Sequence, residues 1–531
     1  MSGFILLMLA CSGPKPADQL FVGGTIALDA TQTTTALAVI DGVVVSTGDD
    51  ALDHQTDATQ IIDLTDQFAI PGFHDAHAHV LPGSFVMDRL LMVGASSMST
   101  ILGAVEDYAS GAPEEPWIVG YGWILSFADE VDGRDLDAIV SDRPVLLVES
   151  SGHAALVNST AMARVGIDAN TPDPEGGEIV RDENGEPTGL LLEEALSLVS
   201  EIALADYSDE DFLDGLTGTL NTLVDSGVTS VSEIMASPGF DLARPWIYAD
   251  LEERGELPVR VYYYVPIFSV DGVEAAAQWR DQYDGEMLNF AGAKVWVDGS
   301  MGTTEAWVSE PLENDPHNFG SHYFNTADLE AVIQEAEALS MSLKFHVNGD
   351  AAVTATLDAL ESVAAREGLS QSHVLDHVVL ISDQDRLRMA ELGIVASVQP
   401  SHALVASFGD TPEAWGDERF ADAYDYQSMV EDGIQLAMGT DWPVWPNLHA
   451  PTNLWAALSI EETHSISRED AFSAYTVGGA EAIGQDGTLG CLDIGCQADI
   501  VVLSDNLFEV DANEIPDLDV RAVYISGNQI K

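Results

Sequence analysis

Seven short apolar runs, at 228–231, 260–265, 293–297, 342–346, 373–377, 394–398 and 434–438, constrain this chain most. Amphipathic stretches of helical periodicity separate them, and strands linked through helices must lie parallel, because each helix returns the chain to the starting edge. With an earlier run at 66–70 the count reaches eight, which closes a parallel sheet into a (β/α)8 TIM-type barrel. The chain is therefore read as α/β, with the barrel over 71–484. Some 150 residues separate the first run from Val228, against roughly 30 for one strand–helix unit, so an inserted element is expected at about 110–205.

The two ends have a different grammar. Gln19–Val22, Ala36–Ile40, Val43–Val45 and Gln60–Leu64 read as short strands, broken by Gly23-Gly24, Asp41-Gly42 and Gly48-Asp49. Ala498–Leu503, Val520–Ile525 and the turn at Ser526–Asn528 repeat that pattern. Residues 18–70 and 485–531 are thus expected to combine into one small composite β-sandwich domain.

Charge narrows the partners. With 89 Asp and Glu against 19 Lys and Arg, the formal net charge of −70 disfavours nucleic acid and anionic membrane surfaces. The acidic residues are spread along the chain, as on an evenly solvated surface adapted to a saline, halophilic setting. A small molecule is the expected partner; the oligomeric state stays open, a dimer being compatible with all of this. Three cysteines occur. Cys11 follows the apolar run Phe4–Ala10, too short to span a bilayer, and resembles the lipidation site of an exported lipoprotein. Residues 1–17 are accordingly read as signal and linker, with lipid anchoring at Cys11 to the cell envelope; the alternative is a cytoplasmic protein with an unstructured N-terminus. Cys491 and Cys496 indicate no disulfide framework.

In a parallel barrel, chemistry gathers at the C-terminal strand ends. Pro71-Gly72 turns the chain into His77 and His79, which at a spacing of two project to one face; His74 has the opposite parity and should face away. Later strand ends supply Lys294, His346, His377 and Asp441. Imidazole and carboxylate suit a zinc-like divalent metal. Lys294 is informative because the chain has only four lysines (Lys15, Lys294, Lys344 and Lys531), and a bare ammonium in a dry barrel is costly. A neutral lysine can take up carbon dioxide to form a carbamate, an anionic ligand for one or two metals, and burial depresses its pKa as that requires. The alternatives are a structural Lys294–Asp298 pair, or the carbamate on Lys344.

These strand ends resemble the amidohydrolase superfamily, and within it amidohydrolase family 3, the branch that includes N-substituted formamide deformylases. The resemblance runs from about 18 to 530, through Pro71-Gly-Phe-x-Asp-x-His-x-His79, Trp117-Ile-Val-Gly-Tyr-Gly-Trp123, Gly152-His-Ala-Ala-Leu-Val-Asn158 and Asp173-Pro-Glu-Gly-Gly177. It continues through Gly185-Glu-Pro-Thr-Gly189, Lys294-x-x-x-Asp298, His346-x-x-Gly-Asp350, Gln399-Pro-Ser-His402, Gly439-Thr-Asp-Trp-Pro443 and Gly495–Val501. Ala351 and Ile124 depart from the family's Arg and Asp. The resemblance implies one or two divalent metals, most simply zinc, on His77, His79, carboxylated Lys294, His346, His377 and Asp441. It also makes His153 and Trp123 pocket-lining.

The expected chemistry is hydrolysis of a non-peptide carbon–nitrogen bond in an amide, formamide or cyclic amide. A bound metal lowers the pKa of its water from about 15.7 toward ~7, making hydroxide available. Asp441 would act as general base and then acid, and His402 or His153 would stabilise the oxyanion. The alternatives are an esterase, lactonase or carbamate hydrolase with the same site, or a metal-binding lipoprotein without catalysis. Asp350 is expected to support His346 or a neighbour, and His373 to be structural.

Overall fold

The computed structural model describes residues 14–111, 115–124, 131–174, 176–237, 240–404, 412–461 and 463–531. The run before Cys11, and Cys11 itself, lie outside them. No helix of the described residues is long and apolar enough to cross a membrane.

Eight parallel strands follow one another round the barrel: β1 (Phe73–Ala78), β2 (Val228–Ile234), β3 (Arg260–Ile267), β4 (Leu288–Trp296), β5 (Ser342–Val347), β6 (Val374–His377), β7 (Val395–Val398) and β8 (Leu436–Met438). Flanking helices cover the outside and side chains fill the inside, so most strand positions are buried and read as continuous apolar runs. The sheet is nearly closed. Just past β8, Asp441 N–H donates to His77 O (2.7 Å) and His79 N–H to Trp442 O (2.8 Å), joining the last strand to the first.

Strand one is not at 66–70. Phe68–Pro71 instead pairs with Thr25–Ile26 and with Ile500–Leu503, inside a second sheet built from both ends of the chain. Burial on both faces gives this strand the same apolar signature as a barrel strand, which is why the two are alike in sequence. The chain changes sheets at Gly72, where a Cβ would lie 2.0 Å from Thr229 Oγ1. Arg260 holds the two units together, donating to Asp499 through Nε (2.8 Å) and Nη2 (3.2 Å) and to Ser526 Oγ (2.6 Å). Cys491 and Cys496 are joined as a disulfide, contrary to the sequence reading; the tight turn through Gly495 brings them together on the way into this terminal sheet.

Between β1 and β2 stands a six-stranded sheet running from Leu90 to Glu193, so the inserted element begins some way before residue 110. It has its own core. Trp123 is sealed within that core, its Nε1 donating to Leu147 O (2.9 Å), and so does not line the cavity.

His373 ties the outer helices to the barrel. Its Nδ1 accepts Leu343 N–H (3.1 Å), leaving Nε2 to donate to Glu337 (3.0 Å), which also accepts from the Ser370 hydroxyl (2.6 Å). Burial pushes the Glu337 carboxyl up, but His373, Ser370 and Gln371 together draw it down to about 2 from 4.5. A carboxyl depressed in the folded state stabilises above the unfolded value and loses that contribution as pH falls through the folded one. Glu337→Gln should therefore cost about 1–3 kcal/mol at pH 7 in chemical denaturation. The gap from wild type should close as pH is lowered from 4.5 to about 2.

Candidate metal centre

A bulge in β1 builds the centre. The step from Val231 to Glu233 on β2 is matched by the longer step from Asp75 to Ala78 on β1, so β1 carries one extra residue. An extra residue reverses side-chain parity. His74, expected to face away, therefore also points inward, one layer lower. There Ser230 Oγ (2.8 Å) and Ser232 Oγ (3.0 Å) occupy both ring nitrogens, and burial drives its pKa to about 3.

Above the bulge the imidazoles converge. His79 donates from Nδ1 to Ile234 O (3.0 Å), which leaves Nε2 lying 3.1 Å from Asp441 Oδ1. His77 places Nδ1 3.0 Å from Asp376 Oδ1 and Nε2 3.4 Å from Asp441 Oδ1. His377 donates from Nδ1 to Gln399 Oε1 (2.9 Å) and packs 4.5 Å, ring to ring, from His346. His346 Nε2 lies 2.9 Å from the Asn348 side-chain amide. His377 and Asp441 turn into the barrel mouth with φ of 71° and 55°, a backbone region that non-glycine residues occupy at some cost and that clusters at functional sites.

Asp376, which sequence reasoning missed, is the counter-charge of the layer below. Its fully buried carboxylate receives Lys294, Lys344 (3.1 Å) and His77. Burial would raise it, but His77 and the two lysines hold it well below the usual carboxylate range. The signal was available: two lysines retained in adjacent barrel strands demand an anion at their level. Lys294 is thus not paired with Asp298, which accepts the N–H groups of Trp307 (3.0 Å), Asn348 (3.0 Å) and Gly349 (2.8 Å). Lys344 also donates to Ala76 O (2.8 Å) beneath the site, whereas Lys294 borders the cavity. Burial lowers both lysines, against the pull of Asp376. Asp350 does not support His346; it accepts Ser309 N–H (3.0 Å) and the Ser309 hydroxyl at the start of the helix Asp350–Glu367.

Two further imidazoles face the cavity. His402 Nε2 lies 3.7 Å from Asp441 Oδ2. His153, from the inserted sheet, packs 5.4 Å from His346 and meets Glu193 Oε2 through Nδ1 (2.6 Å). Glu193, also absent from the sequence reading, takes the Thr303 hydroxyl (2.6 Å) and Tyr323 OH (3.1 Å) from the loop after β4. No sequence signal marks it, because its φ of 50° and both its partners are set by tertiary contact. Burial lowers His153, but the Glu193 carboxylate lifts it above the usual imidazole value.

The donor set fits a divalent cation. Burial takes His77 to about 4 and holds His346 and His377 well below the usual imidazole value, so these rings are neutral at pH 7. Burial would raise Asp441, but its contacts with His77, His79 and His377 draw it well below the usual carboxylate range. Donor atoms of His77, His377 and Asp441 lie within 4.8 Å of one another. Asp441 Oδ1 is buried with no aligned hydrogen bond among the described residues, as expected of an oxygen facing a cation. The cavity they border holds about 70 Å3.

A nearly closed parallel barrel with histidines and an aspartate at its C-terminal mouth is the architecture of a metal-dependent hydrolase. The chain belongs to the amidohydrolase family, whose sequence model matches residues 60–530. It is similar to YtcJ of Bacillus subtilis (strain 168), 29% identical over 93% of this chain and 95% of that one. It is also similar to the N-substituted formamide deformylase of Arthrobacter pascens, 24% identical over 88% of this chain and 89% of that one. Among solved structures it resembles an uncharacterized metal-dependent hydrolase from Pyrococcus furiosus, with 25% identity, a TM-score of 0.73, and coverage of 92% of this chain and 100% of that one.

Asp376→Asn should strand two buried ammonium groups and lower stability by about 3–5 kcal/mol in denaturant titration. Asp350→Asn, outside the cluster, should change it by less than about 1 kcal/mol.

Proposed function

We propose that the protein hydrolyses a non-peptide carbon–nitrogen bond in a small molecule, an amide, formamide or cyclic amide, at a divalent metal centre. The convergence of His77, His377 and Asp441 beside Lys294 carries this reading. His77, His79, His346, His377 and Asp441 are the residues that would hold one or two ions, with zinc the metal best suited to neutral imidazoles and carboxylate. Such an ion supplies Lewis acidity toward the substrate carbonyl and toward a water molecule.

Lys294 supports a carbamate by charge count. One buried carboxylate, Asp376, faces two ammonium groups, one more than it can neutralise. If the neutral Lys294 amine bonds to carbon dioxide and releases a proton to solvent, Asp376 keeps Lys344 as its single ammonium partner, beside His77, and a new anion faces the cavity.

Asp441 then takes the proton from the attacking water and returns it to the leaving nitrogen. Its Oδ2 is the oxygen directed toward His402, and this is where the proton would reside in transit. His153, whose imidazole is drawn upward by Glu193 against burial, faces the oxygen on which negative charge develops. The similarity to a formamide deformylase favours nitrogen as the leaving atom.

Asp441→Asn should lower kcat by about 10²- to 10⁴-fold on a hydrolysed amide, with the metal content measured alongside. A wild-type rate in that variant removes Asp441 from the proton pathway. Matched amides and esters decide the bond: faster turnover of the esters at equal acyl group would make the protein an esterase or lactonase instead.

A further inference from the structure

A second recess, of about 30 Å3, adjoins the metal-site cavity, and the two share His79, Ser151 and Val444 in their linings. Its far side is apolar. Pro82, Gly83 and Val86 come from the helix α1 (Val80–Met87), and Val148 from the inserted sheet. Tyr121, also in the wall, has its hydroxyl committed to Ser150 O (2.5 Å). Gly83 lets the helix lie close on the Trp442 indole, since a Cβ there would lie 2.4 Å from Trp442 Cζ3.

Size and polarity select the occupant. At roughly 10–15 Å3 per water-sized group, this space holds about two heavy atoms. A water there would need two to four polar partners, and these walls supply few, so an apolar group is favoured. The recess adjoins His79, yet neither Asp441 nor His402 lines it; both line the larger cavity. A leaving nitrogen must reach a proton donor, so the leaving group stays in the larger cavity and the acyl side faces the recess.

We infer that this recess is a substrate subsite for a methyl- to ethyl-sized apolar substituent on the acyl carbon, which makes short-chain acyl compounds the preferred substrates. The inference rests on the carbon–nitrogen hydrolase reading and narrows it.

Hydroxamic acids grip divalent metals without turnover, so acetohydroxamic, propionohydroxamic and hexanohydroxamic acids can be titrated calorimetrically into the metal-loaded protein. The two shorter probes should bind at least about tenfold more tightly than the hexanoyl one, since a single misfitting methylene is worth about 10-fold or more. Val86→Ala, which deepens the recess, should narrow that gap to about threefold; Val148→Ala, from the opposite wall, serves the same purpose if the first variant melts early. Affinity that is independent of length, that rises with length, or that is absent overturns the subsite, as does a gap unmoved in both folded variants. Turnover of amides is scored separately. A length cut-off without amide turnover defeats the hydrolase reading and leaves the subsite, while amide turnover without a cut-off defeats the subsite alone.

Discussion

The buried carboxylate of Asp376 is the interaction on which the centre depends. It is fully buried inside the barrel, and it meets two of the chain's four lysines as well as the first histidine of the candidate metal site. An isolated ion there would carry a large desolvation penalty. Asp376 offsets that penalty by facing Lys294, Lys344 and His77 together, and Lys344 also donates to Ala76 O. It also fixes His77: with Nδ1 against Asp376, the ring can turn only Nε2 toward Asp441. A carboxylate behind a ligating imidazole orients the ring and raises its basicity.

Above this layer the neutral imidazoles and the ionised Asp441 form a second electrostatic tier. Burial lowers the His377 imidazole and would raise Asp441, whose carboxyl is instead drawn down by the rings around it. The bulge in β1 separates the tiers. Below it His74 is fully bonded to serines, and above it His77 and His79 keep nitrogens directed at the centre.

Much of this was legible in the sequence, and the reasons differ by residue. His77, His79, Lys294, His346, His377 and Asp441 stood out because each ends a strand of an alternating α/β pattern, and strand ends in such barrels share one level. Parity of His74 was not legible, since a bulge is a register event between two strands and leaves no mark on either alone. The run at 66–70 misled because burial on both faces is common to barrel strands and to the terminal sheet. Asp376 was overshadowed by its neighbour His377, although lysine scarcity pointed to a buried anion. Glu193 and the apolar recess depend on contacts between the inserted sheet and the barrel, distant in sequence, and no spacing rule reaches them.

Glu193 has a consequence for how the cavity can open. One carboxylate binds His153 of the inserted sheet and, from the barrel loop, Thr303 and Tyr323. Glu193 and His153 both belong to the inserted sheet, so any swing of the insertion away from the barrel keeps their contact and strips the carboxylate of Thr303 and Tyr323. Admission of a ligand by that route carries the His153–Glu193 contact along with the moving sheet, and the latch is the pair of hydroxyls on the barrel side.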